Sequence, residues 1–364
     1  MRYLIFMFAL LFPSASWGVN ITFVNPSVPG TPFWDRVSAA ARAAANDLNF
    51  NLSIVYGGDN RIFHFDAIKK IAESQYKPDF VIFMPFDGNA IHTFQLLEHA
   101  KIPFVTIERT VHADKQAELG LPQVKFHYWL GEVFHDNVSA GKLLANSLIN
   151  AASEQSKRSD LKIAAISGSF SGESSHRVEG LQASLNQHDD VHLLQVVHAN
   201  WSRERSRRII YQLANRFGEI DIVWAASDGM ALGVLDSVAS GDKNLNPNIV
   251  VGGIDWTVEA IEQVSQGNLV ASVGGHFMQA AWALIKLYDH QHNVNVFKKG
   301  VSGKSYELEA ITQKNIEHFR FLAQKVDWDK IDFKSFTLTH SKQAQYQFSF
   351  THLVQLLQQP TIND

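Results

Sequence analysis

The chain has 364 residues, 46% hydrophobic and 19% charged, with a formal net charge of −4 and no cysteine. That balance excludes a disordered chain and a basic nucleic-acid binder. The missing cysteine excludes disulfides, thiolate nucleophiles and Cys-held zinc or iron–sulfur centres. At roughly 150 residues per domain, the length predicts about two domains.

Met1-Arg2 places one positive charge ahead of the uninterrupted apolar run Tyr3 to Phe12. Pro13-Ser14-Ala15-Ser16-Trp17-Gly18 then offers small residues at the positions a signal peptidase reads. A run of about ten apolar residues is too short to span a bilayer and fits a secretory leader. Residues 1–18 are therefore expected to be removed, leaving Val19 as the mature start in an exported protein.

From Val19 the chain repeats one unit, a short apolar run followed by a loop and an amphipathic helical stretch. Strands are expected at 19–24, 52–56, 80–84 and 104–107, with helices near 33–48, 67–76 and 90–100 between them. The pattern then restarts with strands at 163–167, 191–198, 222–225 and 249–253 and helices near 174–187, 203–217 and 229–240. Strand–helix alternation of this kind predicts parallel sheets covered on both faces, here two doubly wound lobes. In such sheets ligands sit beyond the carboxyl ends of the strands. The unusual residues cluster there: Pro29 to Trp34, Asp87, Glu108-Arg109, Ser169 to Arg177, Ser227-Asp228 and Asp255-Trp256.

Enzyme signatures fail on inspection. Gly168-Ser169-Phe170-Ser171-Gly172 has Phe where a nucleophile elbow needs Ser. No phosphate-cradling glycine loop ends in Gly-Lys-Ser/Thr, and the 16 His show no helical metal-site spacing. Neither a catalytic function, a cofactor nor a metal is expected. Binding residues are easier to name. Phe33 and Trp34 present rings able to stack on the C–H face of a sugar, or to form a core pair. Arg177 offers forked donors, or a surface ion pair. Asp228 and Asp255 follow strands, where carboxylates either accept hydroxyl pairs or cap helices.

These motifs resemble, in order, the periplasmic sugar-binding proteins of the ribose-binding type, which share their fold with LacI-type repressors. Val24-Asn25-Pro26 with Phe33-Trp34 resembles that family's first strand and aromatic pair. Thr106-Ile107-Glu108-Arg109 stands where it usually has Asp-Arg or Asp-Ser. His135-Asp136-Asn137 with Gly141, Arg177-Val178-Glu179-Gly180, Ala226-Ser227-Asp228-Gly229-Met230-Ala231-Leu232-Gly233 and Gly252-Gly253-Ile254-Asp255 resemble later family segments. The resemblance covers roughly 19–325. Departures are Ser227 for Asn, Glu108 for Asp, and Gly275-His276 where Gln is usual, so a ribose specificity does not carry over. A more distant resemblance links Trp34, Arg177 and Ser227-Asp228 to periplasmic autoinducer-2 receptors.

The resemblance implies a type 1 periplasmic binding protein fold with a three-crossing hinge, near Gly131, Gly275 and Gly303. The expected lobes are 19–131 plus 276–302 and 132–275 plus 303–325, followed by an extension over 326–364. The extension, rich in aromatics, reads as an arm packed across the lobes or a docking surface for a membrane partner. The implied function is capture of a sugar or sugar-like ligand for an ABC-type permease, or as a signalling co-receptor read by a membrane sensor. The expected ligand residues are Phe33, Trp34, Asp87, Glu108, Arg109, Arg177, Ser227, Asp228, Asp255 and His276.

Overall fold

A computed structural model describes residues 18–108, 111–156, 160–241, 245–324 and 326–358. The expected leader up to Trp17 and the candidate Arg109 lie outside the described residues. The chain opens with β1 (Asn20–Asn25), α1 (Pro32–Asp47), β2 (Asn51–Tyr56), α2 (Arg61–Glu73), β3 (Phe80–Phe83), α3 (Ala90–Ala100), β4 (Phe104–Ile107), α4 (Ala113–Leu119) and β5 (Trp129–Val133). These strands form a parallel sheet in the order β2-β1-β3-β4-β5. Alternation along each strand divides its side chains between two faces. Ile21, Phe23, Ile82 and Val105 join Val37 and Ala40 of α1 in one core. Val24, Val81, Phe83 and Phe104 meet Ile68 of α2 and Phe94 of α3 in another.

The second lobe contains α5 (Asn137–Gln155), β6 (Leu161–Ser167), α6 (Gly172–Leu185), β7 (Val191–His198), α7 (Arg203–Phe217), β8 (Ile222–Ala225), α8 (Asp228–Ala239), β9 (Val250–Ile254), α9 (Val258–Gln266) and β10 (Ala271–Gly274). Its sheet runs β11-β10-β9-β8-β6-β7, where β11 (Glu309–Thr312) pairs antiparallel with β10 and the other pairings are parallel. After β10 the chain forms α10 (Gln279–Gln291), which packs on α1, β4 and β5 of the first lobe. The expected pair of doubly wound lobes is the observed architecture.

Between Glu108 and Tyr128 the chain holds α4, and the next residues form a fifth strand. Gly131 and Glu132 interrupt the apolar run of β5, which hides the strand in the sequence. Gly131, near which the first crossing is expected, lies inside β5, where a Cβ would lie 2.6 Å from the Phe297 ring. Close packing, not a turn, requires the glycine, and the chain leaves the first sheet after Val133. Beyond it the Ser305 N–H donates to Phe134 O at 2.8 Å, and His135 bridges Tyr306. Gly275 is a different case. Its φ of +125° favours glycine, and a Cβ would meet the Phe350 ring at 2.4 Å.

The residues after Val326 make short turns and end in a helix, Phe350–Gln358. Their aromatic side chains point inward: Phe333, Phe336, Phe348 and Phe350 are all buried. Phe348 stacks on Trp282 of α10 at 4.6 Å, and Phe350 lies 4.9 Å from Trp256 and 5.3 Å from Phe277. The extension is thus an arm behind the hinge, touching elements of both lobes.

Candidate ligand-binding cleft

The carboxyl ends of both sheets converge on one group of buried polar side chains. On the first lobe, Asn25 ends β1 and organises the loop and helix beyond it. Its Nδ2 donates to Trp34 O at 3.2 Å and Ser38 Oγ at 2.9 Å, and its Oδ1 accepts the Ser27 N–H at 2.9 Å. These bonds fix the start of α1, where the Phe33 ring packs edge-on to Trp34 at 5.2 Å and 4.5 Å from His276. Glu108 follows β4 with φ +59°, an uncommon backbone for a non-glycine residue. It is 5% exposed, and its Oε2 has no hydrogen-bond partner.

On the second lobe, two glycines let α5 and α6 touch backbone to backbone. A Cβ on Gly141 would sit 1.9 Å from Arg177 O, and one on Gly180 would sit 2.0 Å from Val138 O. That contact seats Arg177, whose Nε donates to Asn137 Oδ1 at 2.8 Å and whose Nη1 donates to Ala226 O at 2.7 Å. Arg177 Nη1 is 3.8 Å from Asp255 Oδ1, and His276 Nε2 is 3.3 Å from the same oxygen. Asp255 itself has φ +137°.

His135, at the first crossing, fits one neutral tautomer. Nε2–H donates to Asn137 Oδ1 at 3.1 Å, and Nδ1 accepts from the Tyr306 hydroxyl at 3.3 Å. Burial first, then the Arg177 charge, pushes its pKa down to about 3. Burial, then His135, likewise drives His276 well below its usual value. Glu173, one turn before Arg177 on α6, accepts from Ser171 Oγ at 2.7 Å and leaves Oε2 unpartnered. Burial pushes its carboxyl up to about 7, and Glu108 adds to the rise. Asp255 is pushed up by burial, with Arg177 opposing and Glu108 reinforcing.

The structure therefore brings together Phe33, Glu108, Arg177, Asp255 and His276, with Trp34 behind Phe33. Asp228 is held by the chain itself. Its Oδ1 accepts from Ser272 Oγ at 2.8 Å, and its Oδ2 accepts the Thr257 N–H at 2.8 Å and the Thr257 hydroxyl at 3.2 Å. Both oxygens are engaged in joining α8 to β10 and to Thr257 beyond β9, so Asp228 braces the cleft wall. The Ser227 hydroxyl caps α8 by accepting the Met230 N–H at 3.3 Å. Asp87 accepts the His112 N–H at 3.2 Å, which ties the loop after β3 to α4.

Sequence reading held His135 only within a family segment and Glu173 only within the Ser169 to Arg177 cluster, and it missed Trp201 and Tyr306. Trp201 follows β7, as other cleft residues follow their strands; its Nε1 donates to Ser169 Oγ at 3.1 Å, and its ring lies 5.7 Å from the Arg177 guanidinium. Position after a strand was the signal that could have found it. An open groove of about 650 Å³ lies elsewhere, between β2 and α2, walled by Tyr56, Phe63, Asp66, Lys70 and Tyr76, and shares no residue with the cleft.

The model of the periplasmic binding protein domain family matches residues 21–292. The ribose import binding protein of Salmonella typhimurium is 25% identical over 248 residues, 68% of this chain and 76% of that protein. Among solved structures, a periplasmic sugar-binding protein from Pseudomonas fluorescens superposes with a TM-score of 0.80 at 23% identity, covering 94% of this chain and all of its own. An ABC transporter periplasmic solute binding protein from Actinobacillus succinogenes, solved with bound D-allose, gives 0.69 at 18% identity, covering 82% of this chain and 99% of its own.

Proposed function

The chain belongs to the periplasmic binding protein domain family, and from that premise we propose that it captures a sugar or sugar-like polyol between its lobes in the periplasm. One observation carries the reading. Around the Arg177 guanidinium, three buried polar atoms are without hydrogen-bond partners: Glu108 Oε2, Glu173 Oε2 and His276 Nδ1. Leaving such atoms unpaired costs about 1–3 kcal/mol each, more for a charged group. A hydroxyl both donates and accepts, so a polyol serves carboxylate and neutral imidazole alike. The rings of Phe33 and Trp201 supply faces for the C–H side of the same molecule.

Glu108 belongs to the first lobe, Arg177 and Glu173 to the second, and His276 to a crossing between them. A ligand bonded to all four has more contacts with the closed form than with an open one. It therefore shifts the equilibrium by that difference in affinity. An ABC-type permease would read the closed form, a reading supported by the similar fold of the Actinobacillus succinogenes protein, an ABC transporter periplasmic solute binding protein. The chain acts as a carrier, and the ligand leaves unchanged.

The test is calorimetry of the mature chain, from Val19, against a panel of monosaccharides and cyclic polyols, with Arg177→Ala beside it. Saturable binding that Arg177→Ala weakens supports the reading; a panel without a binder removes it. Stimulation of permease ATPase activity by the loaded protein tests the partner, and stimulation of a sensor kinase in its place would overturn the permease assignment.

A further inference from the structure

We propose that the cleft selects a polyol carrying a protonated amino group, held between Glu108 of the first lobe and Glu173 of the second. The inference rests on the polyol reading above and narrows it to amino sugars and amino-substituted cyclic polyols. It starts from the charges that face the cleft among the described residues. The carboxylates of Glu108, Glu173 and Asp255 are set against one guanidinium, that of Arg177, which already donates to Asn137 and to Ala226 O. The two histidines add no compensating charge, since burial holds His135 and His276 neutral, and Tyr306 keeps its proton.

The three carboxylates are not equivalent. Asp255 has Arg177 at 3.8 Å and His276 at 3.3 Å. Glu108 and Glu173 each keep one oxygen without a partner. The nearest ring nitrogen to Glu108, His135 Nε2 at 3.9 Å, already donates to Asn137. One of these carboxylates comes from each lobe, and the Glu108 charge raises the Glu173 carboxyl, so closing the cleft brings two like charges together. A hydroxyl offers one proton and no charge to such a pair. An ammonium group offers three N–H donors and a positive charge, so it bridges both free oxygens and removes the repulsion that opposes closure.

The experiment is calorimetry of the mature chain with matched pairs: D-glucose and D-glucosamine, D-galactose and D-galactosamine, and myo-inositol and an amino-deoxy inositol. In at least one pair, the amino member should bind about tenfold tighter or more, the factor that one added charge-assisted hydrogen bond supplies. Its binding near neutral pH should also release protons, because the cation draws the raised Glu173 and Asp255 carboxyls down; repeating the titration in buffers of different ionisation enthalpy reads that release. Glu173→Gln and Glu108→Gln, which keep an acceptor but remove a charge, should each shrink the preference to within about threefold. Neutral members binding as tightly as their amino partners would overturn the inference and leave the polyol reading standing. Silence from every pair would remove both. A preference that survives both substitutions would show that the two carboxylates do not hold the amine, which also defeats the proposal.

Discussion

Two buried carboxylate environments sit on opposite sides of the same hinge, and they are finished differently. Behind the hinge, Asp289 of α10 is wholly buried and fully served. Leu338 N–H and Tyr346 Oη–H donate to Oδ2 at 2.8 Å each, and Thr339 donates to Oδ1 through both its N–H and its hydroxyl. In front of it, Glu108 and Glu173 are left with one open oxygen each. Burial is common to both sides; completion is not. Where the chain itself supplies every donor, the carboxylate joins one segment to another, as Asp289 joins α10 to the arm. On the reading proposed above, the open oxygen is completed by a donor from the ligand.

Asp289→Ala is the harshest test of that contrast. It removes the acceptor for four donors, and at about 1.5–3 kcal/mol per hydrogen bond to a charged group the loss of stability should reach at least about 3 kcal/mol. Denaturant melts showing a loss below about 1 kcal/mol, less than a single such bond, would place the arm's attachment elsewhere. In front of the hinge, Arg177→Ala should act on binding: an affinity loss of about 1.5–3 kcal/mol by calorimetry, with a much smaller change in melting temperature. An equal loss of stability would make Arg177 a second Asp289.

Gly180→Ala sharpens the comparison by moving the front without touching its charges. The new methyl would meet Val138 O at 2.0 Å, so α6 must shift away from α5. Overpacking of this kind costs about 1–3 kcal/mol, and affinity should fall with it because Arg177 rides on the displaced helix. Ligand binding at wild-type strength would show that α5–α6 contact is not what seats Arg177.

The smallest effect is a pH dependence. The Glu173 carboxyl is pushed from 4.5 up to about 7 in the folded chain. Between those values the folded form binds more protons than the unfolded one. This group's contribution therefore falls as pH rises through the window, and its penalty is complete above about 7. Glu173→Gln should thus raise the melting temperature of the ligand-free protein at pH 8 and do so less at pH 5. A gain of the same size at both would point to packing instead of charge.

Much of the fold and part of the cleft were legible in the sequence. The continuous apolar strands and their intervening amphipathic helices announce two parallel sheets, and position after a strand marks Glu108, Arg177 and Asp255. Asp228 occupies the same kind of position yet serves the wall, because only the fold reveals that Thr257 and Ser272 reach it first. Trp129 to Val133 was obscured by Gly131, whose reason for being glycine is the distant Phe297 ring. Glu173 and His135 gave no periodic signal; they matter through neighbours brought from other segments. The arm's aromatics were visible as composition, but their inward direction depends on Trp282 and Phe277, well upstream in the chain.

The position of α10 has a consequence for the order in which the protein is completed. Its residues from Gln279 to Leu287, Lys286 aside, are buried nearly all round, by α1 and the first sheet on one side and by the arm on the other. The first lobe, whose strands are made earliest, therefore lacks one of its covering helices until synthesis has passed Gln291, and that helix lacks its own outer cover until the final segment is available. Contacts between ends so far apart in sequence form slowly, since long loops must close before they are rewarded. During synthesis the face of the first sheet carrying Phe23, Ile82 and Val105 can be covered by α1, but it gains α10 only when that helix emerges.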